Sequence, residues 1–183
     1  MPEVPAGVMR TMREVGRDLY QLALVTSHGG NLSIRAGTDT WITGTGTMLG
    51  RLEERHISLV LADGRHEGPP PSSDTLLHRA VYALSGANAV CHAHPRHAIA
   101  LSFDREEFIP EDLEGKLHLK RVPVVAEGPL QVELLAHALT TNLVVLLRGH
   151  GVYARGQTLW EALHWITALE ESAHIAWLRA ALR

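Results

Sequence analysis

The purest apolar stretch of the chain, Leu143-Val144-Val145-Leu146-Leu147, is only five residues long. A membrane-crossing helix needs roughly 18 or more, so this run predicts a buried strand. Segments of helical period surround it. Val8, Met12, Val15, Leu19 and Leu22 predict an amphipathic helix over residues 7–25. Leu159, Ala162, Leu163, Ile166, Leu169, Ala173 and Ala176 predict one side of a final helix, with Thr158 and Glu161 at capping-box spacing. Between these ends the apolar period shifts to two. Leu32 and Ile34 alternate with polar neighbours, and Trp41-Ile42-Thr43 follows the turn Gly37-Thr38-Asp39, which predicts an antiparallel hairpin. A strand is expected over residues 58–62 before Asp63-Gly64. Pro69-Pro70-Pro71 then reads as a stiff connector that cannot lie in a central strand.

Ser72 or Ser73 can cap a helix carrying Leu76, Leu77, Ala80, Val81 and Leu84, with Gly86 placed to end it. Residues 89–94 predict a strand, Pro95 opens a helical turn to about residue 103, residues 122–125 form a strand and residues 132–139 a helix. There is no repeat or linker. A single domain over residues 1–183 follows, of α/β or α+β class with a mainly antiparallel sheet. A chain of this length can hide about 70% of its potential surface in one core.

Lys and Arg number 17 against 20 Asp and Glu, so no surplus positive charge exists to displace counterions from nucleic acid or an anionic membrane. Neither is an expected partner. The one cysteine, Cys91, cannot form an intrachain disulfide and fits a reducing compartment. Charges at Glu3, Arg10, Arg13, Glu14, Arg17 and Asp18 interrupt the N-terminal segment, which is unlike a secretory signal, so a cytoplasmic protein is expected.

Twelve histidines are many for this length, and their spacing sorts them. In Val90-Cys91-His92-Ala93-His94-Pro95 a strand would put His92 and His94 on one face, where two imidazoles can converge on a metal or stand as two hydrogen-bonded histidines. Gly149-His150-Gly151 at the end of the apolar strand exposes a third imidazole between flexible glycines. Three neutral nitrogens without a dedicated fourth ligand suit a catalytic zinc-type site. The other histidines read as surface or packing residues, except that His97 lies one helical turn from the pair. Pro71-Ser72-Ser73-Asp74 can offer hydroxyls and free N–H groups to an anion at a helix N-terminus, or can simply cap it. The turns Gly29-Gly30-Asn31 and Thr45-Gly46 can add donors to the same anion, or be turns only. Asp74 has two readings, a helix cap or a carboxylate that ligates a metal in the empty site and then moves protons.

Taken together and in order, Gly30-Asn31-Leu32-Ser33, Ile42-Thr43-Gly44-Thr45-Gly46, Pro71-Ser72-Ser73-Asp74, His92-Ala93-His94-Pro95 and Gly149-His150-Gly151 resemble the class II aldolase/adducin family, from about Val8 to Leu178. The resemblance implies a three-layer α/β/α sandwich around a mainly antiparallel sheet, and a homotetramer. It implies one Zn2+ per subunit at His92, His94 and His150. It implies a phosphorylated sugar held by Gly30, Asn31, Thr45, Gly46, Ser72 and Ser73, with Asp74 as the catalytic carboxylate. The implied reaction is reversible aldol cleavage of a phosphorylated ketose, such as L-fuculose 1-phosphate, to dihydroxyacetone phosphate and an aldehyde. One residue departs from the pattern: the family's aldolases carry Glu after the paired serines, and this chain has Asp74. That setting resembles the L-ribulose-5-phosphate 4-epimerase branch, while Arg148-Gly149-His150-Gly151 resembles the methylthioribulose-1-phosphate dehydratases. A non-catalytic interaction module of the adducin type is the alternative outside enzymes, and it has no need of three convergent imidazoles.

Overall fold

A computed structural model describes residues 3–182. Helix α1 (Ala6–Gln21) leads into the hairpin β1 (Asn31–Ala36) and β2 (Asp39–Thr43). Then come β3 (Ile57–Val60), β4 (His66–Glu67), α2 (Thr75–Leu84), β5 (Ala89–Ala93), α3 (Arg96–Ser102), β6 (Glu107–Phe108) and α4 (Leu113–His118). The chain closes with β7 (Val122–Val125), α5 (Gln131–Thr141), β8 (Val144–Leu147), β9 (Gly151–Gly156) and the long α6 (Leu159–Ala181). The strands form one sheet in the order β4-β3-β2-β1-β5-β9-β8-β7-β6. Every neighbouring pair is antiparallel except β7 with β8.

The period of two decides which helix covers which side chain. On one face Leu32, Cys91, Ala93, Val144, Leu146, Val152 and Ala154 pack with Met12, Val15 and Leu19 of α1 and Ile166 and Leu169 of α6. On the other, Val90, Val145, Leu147 and Tyr153 pack with Leu77 and Val81 of α2 and Leu135 and Leu139 of α5. The result is the expected α/β/α sandwich. The run from Leu143 is apolar throughout because β8 is covered on both sides, and each fully buried Leu or Val contributes about 1.5–3 kcal/mol.

Several element ends differ from the sequence expectations. Helix α1 stops at Gln21 instead of running to residue 25: Ala23 takes a positive φ of 56° and the Leu24 N–H turns back to the Leu19 carbonyl, 2.9 Å away. That is an αL helix cap built on alanine where glycine is usual. Neither Ser72 nor Ser73 caps α2. Asp74 occupies that position, and its carboxylate makes no capping bond. The helix ends at Leu84 with Ser85 at its C-terminal cap, so Gly86 lies one residue further on. Thr158 accepts from the Glu161 N–H as expected, but the Glu161 carboxylate reaches back to the Gln157 N–H rather than to Thr158. Sequence periodicity also passes over β4, β6, β9 and α4; the first two have only two residues each.

Candidate active site

The three-strand block β1-β5-β9 presents one polar stripe on the face that α2 covers. His92 is 2% exposed near the end of β5, and its Nδ1 lies 2.9 Å from the Val152 carbonyl oxygen of β9. A carbonyl only accepts, so Nδ1 carries the proton and Nε2 keeps its lone pair. Strand β5 ends at Ala93, and His94 is held just beyond it by a 2.7 Å bond from its N–H to the Leu24 carbonyl. His150 sits in the tight turn between β8 and β9, where Gly149 has a φ of +66°. The Nε2 atoms of His94 and His150 approach that of His92 to 2.9 and 3.2 Å. Gly151 permits this closure: a Cβ there would stand 2.7 Å from His94 Cδ2 and 2.8 Å from His92 Cε1.

These three side chains form a group whose ligand atoms all lie within 4.8 Å of one another. Burial pushes the pKa of His92 down to about 3, and burial followed by the neighbouring His150 lowers that of His94. Lone pairs on uncharged imidazoles aimed at one point repel unless a cation lies between them. The donor set therefore fits a divalent metal with an open position.

Asp74 stands beside the group. Its Oδ2 accepts from Asn31 Nδ2 at 2.8 Å and from the Tyr153 hydroxyl at 3.0 Å, and lies 3.9 Å from His92 Nε2. Burial opposes ionisation, yet His92 and the Asn31 and Tyr153 donors outweigh it and hold the carboxyl below the usual carboxylate range. Burial and the adjacent Asp74 push the Tyr153 phenol far above its ordinary value, so it remains a donor.

One cleft of about 270 Å³ gathers Gly30, Asn31, Thr45, Gly46, Ser72, Ser73, Asp74, His92, His94 and His150, together with His28, Gly29 and Gly44. The ten residues to which the sequence gives metal, substrate or catalytic roles thus line one cleft. Their local bonds differ. Thr45 donates its hydroxyl to the Pro71 carbonyl at 2.8 Å, while the Ser72 hydroxyl oxygen accepts from the Asp74 N–H at 3.2 Å and keeps its own proton to donate. Ser73 is exposed to the cleft, and Asn31 is buried with its amide nitrogen committed to Asp74. His97 is drawn away from the group: its Nδ1 lies 2.7 Å from Glu170 Oε1 on α6 and its ring stacks on His174. Sequence reasoning missed His28, which adjoins the Gly29-Gly30-Asn31 turn, and Tyr153, two residues beyond Gly151 on the strand that follows His150.

The class II aldolase and adducin N-terminal domain model matches residues 10–177. An L-fuculose phosphate aldolase of Methanocaldococcus jannaschii is 32% identical over 168 residues, covering 90% of this chain and 93% of the relative. A methylthioribulose-1-phosphate dehydratase of Aquarana catesbeiana is 31% identical, covering 81% of this chain and 74% of that one. The crystal structure of L-fuculose-1-phosphate aldolase from Thermus thermophilus superposes with a TM-score of 0.91 at 37% identity, over 97% of each chain. A fold shared end to end, with the five motifs gathered in one cleft, leaves a single assignment: the chain belongs to the class II aldolase and adducin N-terminal domain family.

Proposed function

We propose that the protein is a zinc-dependent aldolase that reversibly cleaves a phosphorylated ketose, such as L-fuculose 1-phosphate, to dihydroxyacetone phosphate and an aldehyde. The convergence of three imidazole nitrogens beside an ionised Asp74 in one cleft carries this reading. Zn2+ at His92, His94 and His150 supplies Lewis-acid stabilisation of the negative charge left next to a carbonyl when a carbon–carbon bond breaks. Asp74 is the fourth group beside the ion, its Oδ2 3.9 Å from His92 Nε2. Its principal work is with protons: it takes one from the hydroxyl of the carbon that becomes the aldehyde and delivers it to the carbon of the enediolate, giving dihydroxyacetone phosphate; the reverse direction runs both transfers backwards. Ser72 and Ser73 at the start of α2, with Thr45, Asn31 and the turns at Gly30 and Gly46, bind the phosphate, and that remote binding energy orients the reacting carbons. The motif resemblance further supports a homotetramer, and the single cysteine, Cys91, fits the reducing cytoplasm; among the described residues no helix is long and apolar enough to cross a membrane.

Dehydration of a sugar phosphate is the second reading, favoured by the likeness to the Aquarana dehydratase and by the Arg148-Gly149-His150-Gly151 stretch that resembles such enzymes. The product separates the two. Purified protein is analysed for bound metal, then incubated with a panel of ketose 1- and 5-phosphates and the products are identified. Two carbon fragments with about one zinc per chain support the aldolase; loss of water supports the dehydratase; a stereoisomer supports an epimerase. Full cleavage by protein stripped of metal overturns the proposal.

A further inference from the structure

The pairing register of three strands aligns three polar side chains across the sheet. Asn31 of β1 is the register partner of His92 of β5, and His92 is the partner of Tyr153 of β9. Side chains in direct register share a face, and these three meet a single atom. Asp74 Oδ2 lies 2.8 Å from Asn31 Nδ2, 3.0 Å from the Tyr153 hydroxyl and 3.9 Å from His92 Nε2. The Tyr153 ring also stacks on the His92 imidazole, with centroids 4.1 Å apart and planes 10° apart. Tyr153 is 2% exposed, so its hydroxyl has no bulk water to bond instead. Two donors on Oδ2 restrict rotation of the carboxylate about its Cβ–Cγ bond, and Oδ1 has no hydrogen-bond partner among the described residues.

We propose that Tyr153 is a positioning residue: its hydroxyl holds Asp74 by Oδ2, so that Oδ1 exchanges protons with substrate and the carboxylate is restrained from closing onto the metal. This inference rests on the aldolase reading. The phenol acts through Asp74 and does not touch the reacting atoms.

Tyr153→Phe tests the idea because it keeps the stack on His92 and removes only the O–H. In the zinc-loaded enzyme, metal content should be unchanged and kcat should fall roughly 10- to 100-fold with KM nearly constant. On an Asp74→Asn background the same change should cost less than about threefold, since the oxygen it positions no longer carries protons. The visible spectrum of the substrate-free Co2+ form gives a second readout. Tyr153→Phe should lower its intensity, as Asp74 swings in to raise the coordination number, and should not do so once Asp74 is Asn. Wild-type kcat in Tyr153→Phe, a full loss on the Asp74→Asn background, or an unchanged Co2+ spectrum each overturns the proposal. If wild-type protein cleaves no ketose phosphate, the aldolase reading fails, while the Co2+ spectra still show whether Tyr153 restrains Asp74.

Discussion

The Nδ1 proton of His92 is held by the carbonyl oxygen of Val152, 2.9 Å away on the neighbouring strand, and this one bond decides which nitrogen faces His94 and His150. A backbone carbonyl cannot rotate or titrate. The tautomer is therefore built into the register of β5 with β9, before any metal arrives. Replacing His92 with Ala removes a ligand, the partner of Val152 and a packing surface for Tyr153 together. Metal affinity should drop by more than the roughly 10- to 100-fold typical of losing an outer partner, and turnover should fall in parallel. Equilibrium dialysis against zinc checks this, and full zinc occupancy in His92→Ala would remove the residue from the ligand set.

Asp74 allows a separation of metal binding from proton transfer. Asp74→Asn preserves size and leaves all three imidazoles in place, so zinc content should persist. The neutral amide cannot take a proton, and kcat should fall by roughly 10²–10⁴. Near-normal turnover in a zinc-loaded Asp74→Asn enzyme would place the proton carrier elsewhere.

Much of this site was legible because the chemistry depends on short periods. A strand period of two put His92 and His94 on one side, and a five-residue apolar run ending in Arg148-Gly149-His150-Gly151 marked a buried strand that delivers an imidazole at its tip. Asp74 was ambiguous because capping residues and catalytic carboxylates share a residue type. Only the approach of Asn31 and Tyr153, from β1 and β9, shows that its carboxylate leaves the helix terminus free. Tyr153 could not have been found from spacing. Its role depends on β9 lying beside β5 in one particular register, a relation between residues some 60 positions apart that local periodicity does not encode. His97 shows the converse: helical proximity to the pair suggested a role, but α6 brings Glu170 to within 2.7 Å and takes the ring out of the cleft.

Gly151 is the backbone position where the histidines leave least room. A methyl group there would lie 2.6 Å from the Ala93 carbonyl oxygen as well as against both His92 and His94. None of these can retreat easily, since one is sheet backbone and two are the converging imidazoles. Gly151→Ala should therefore lower stability by about 1–3 kcal/mol and weaken zinc binding. Gly7 of α1 has nothing within 4 Å of such a methyl, and Gly7→Ala should instead stabilise by about 0.4–1 kcal/mol. Urea denaturation of the two variants, with zinc titrations, measures the contrast; equal effects at the two positions would contradict it.

His78 lies beneath the site, fully buried in α2, with Nδ1 2.7 Å from the Ser33 hydroxyl and Nε2 without a partner among the described residues. Burial pushes its pKa down from 6.5 to about 4, against a smaller opposing pull from Asp74. The unfolded chain thus takes up a proton below pH 6.5 that the folded protein refuses until about pH 4. More protons bound in the unfolded state make stability rise with pH across that window. His78 should contribute a loss of up to about 3 kcal/mol as pH falls through it, and no change above pH 7. Chemical denaturation of His78→Leu from pH 4 to 8 beside the wild type isolates this contribution, because the two proteins differ only in that side chain. The variant should show a shallower decline in acid, and curves that stay parallel to the wild type throughout would mean that His78 does not keep its neutral form at the cost of acid stability.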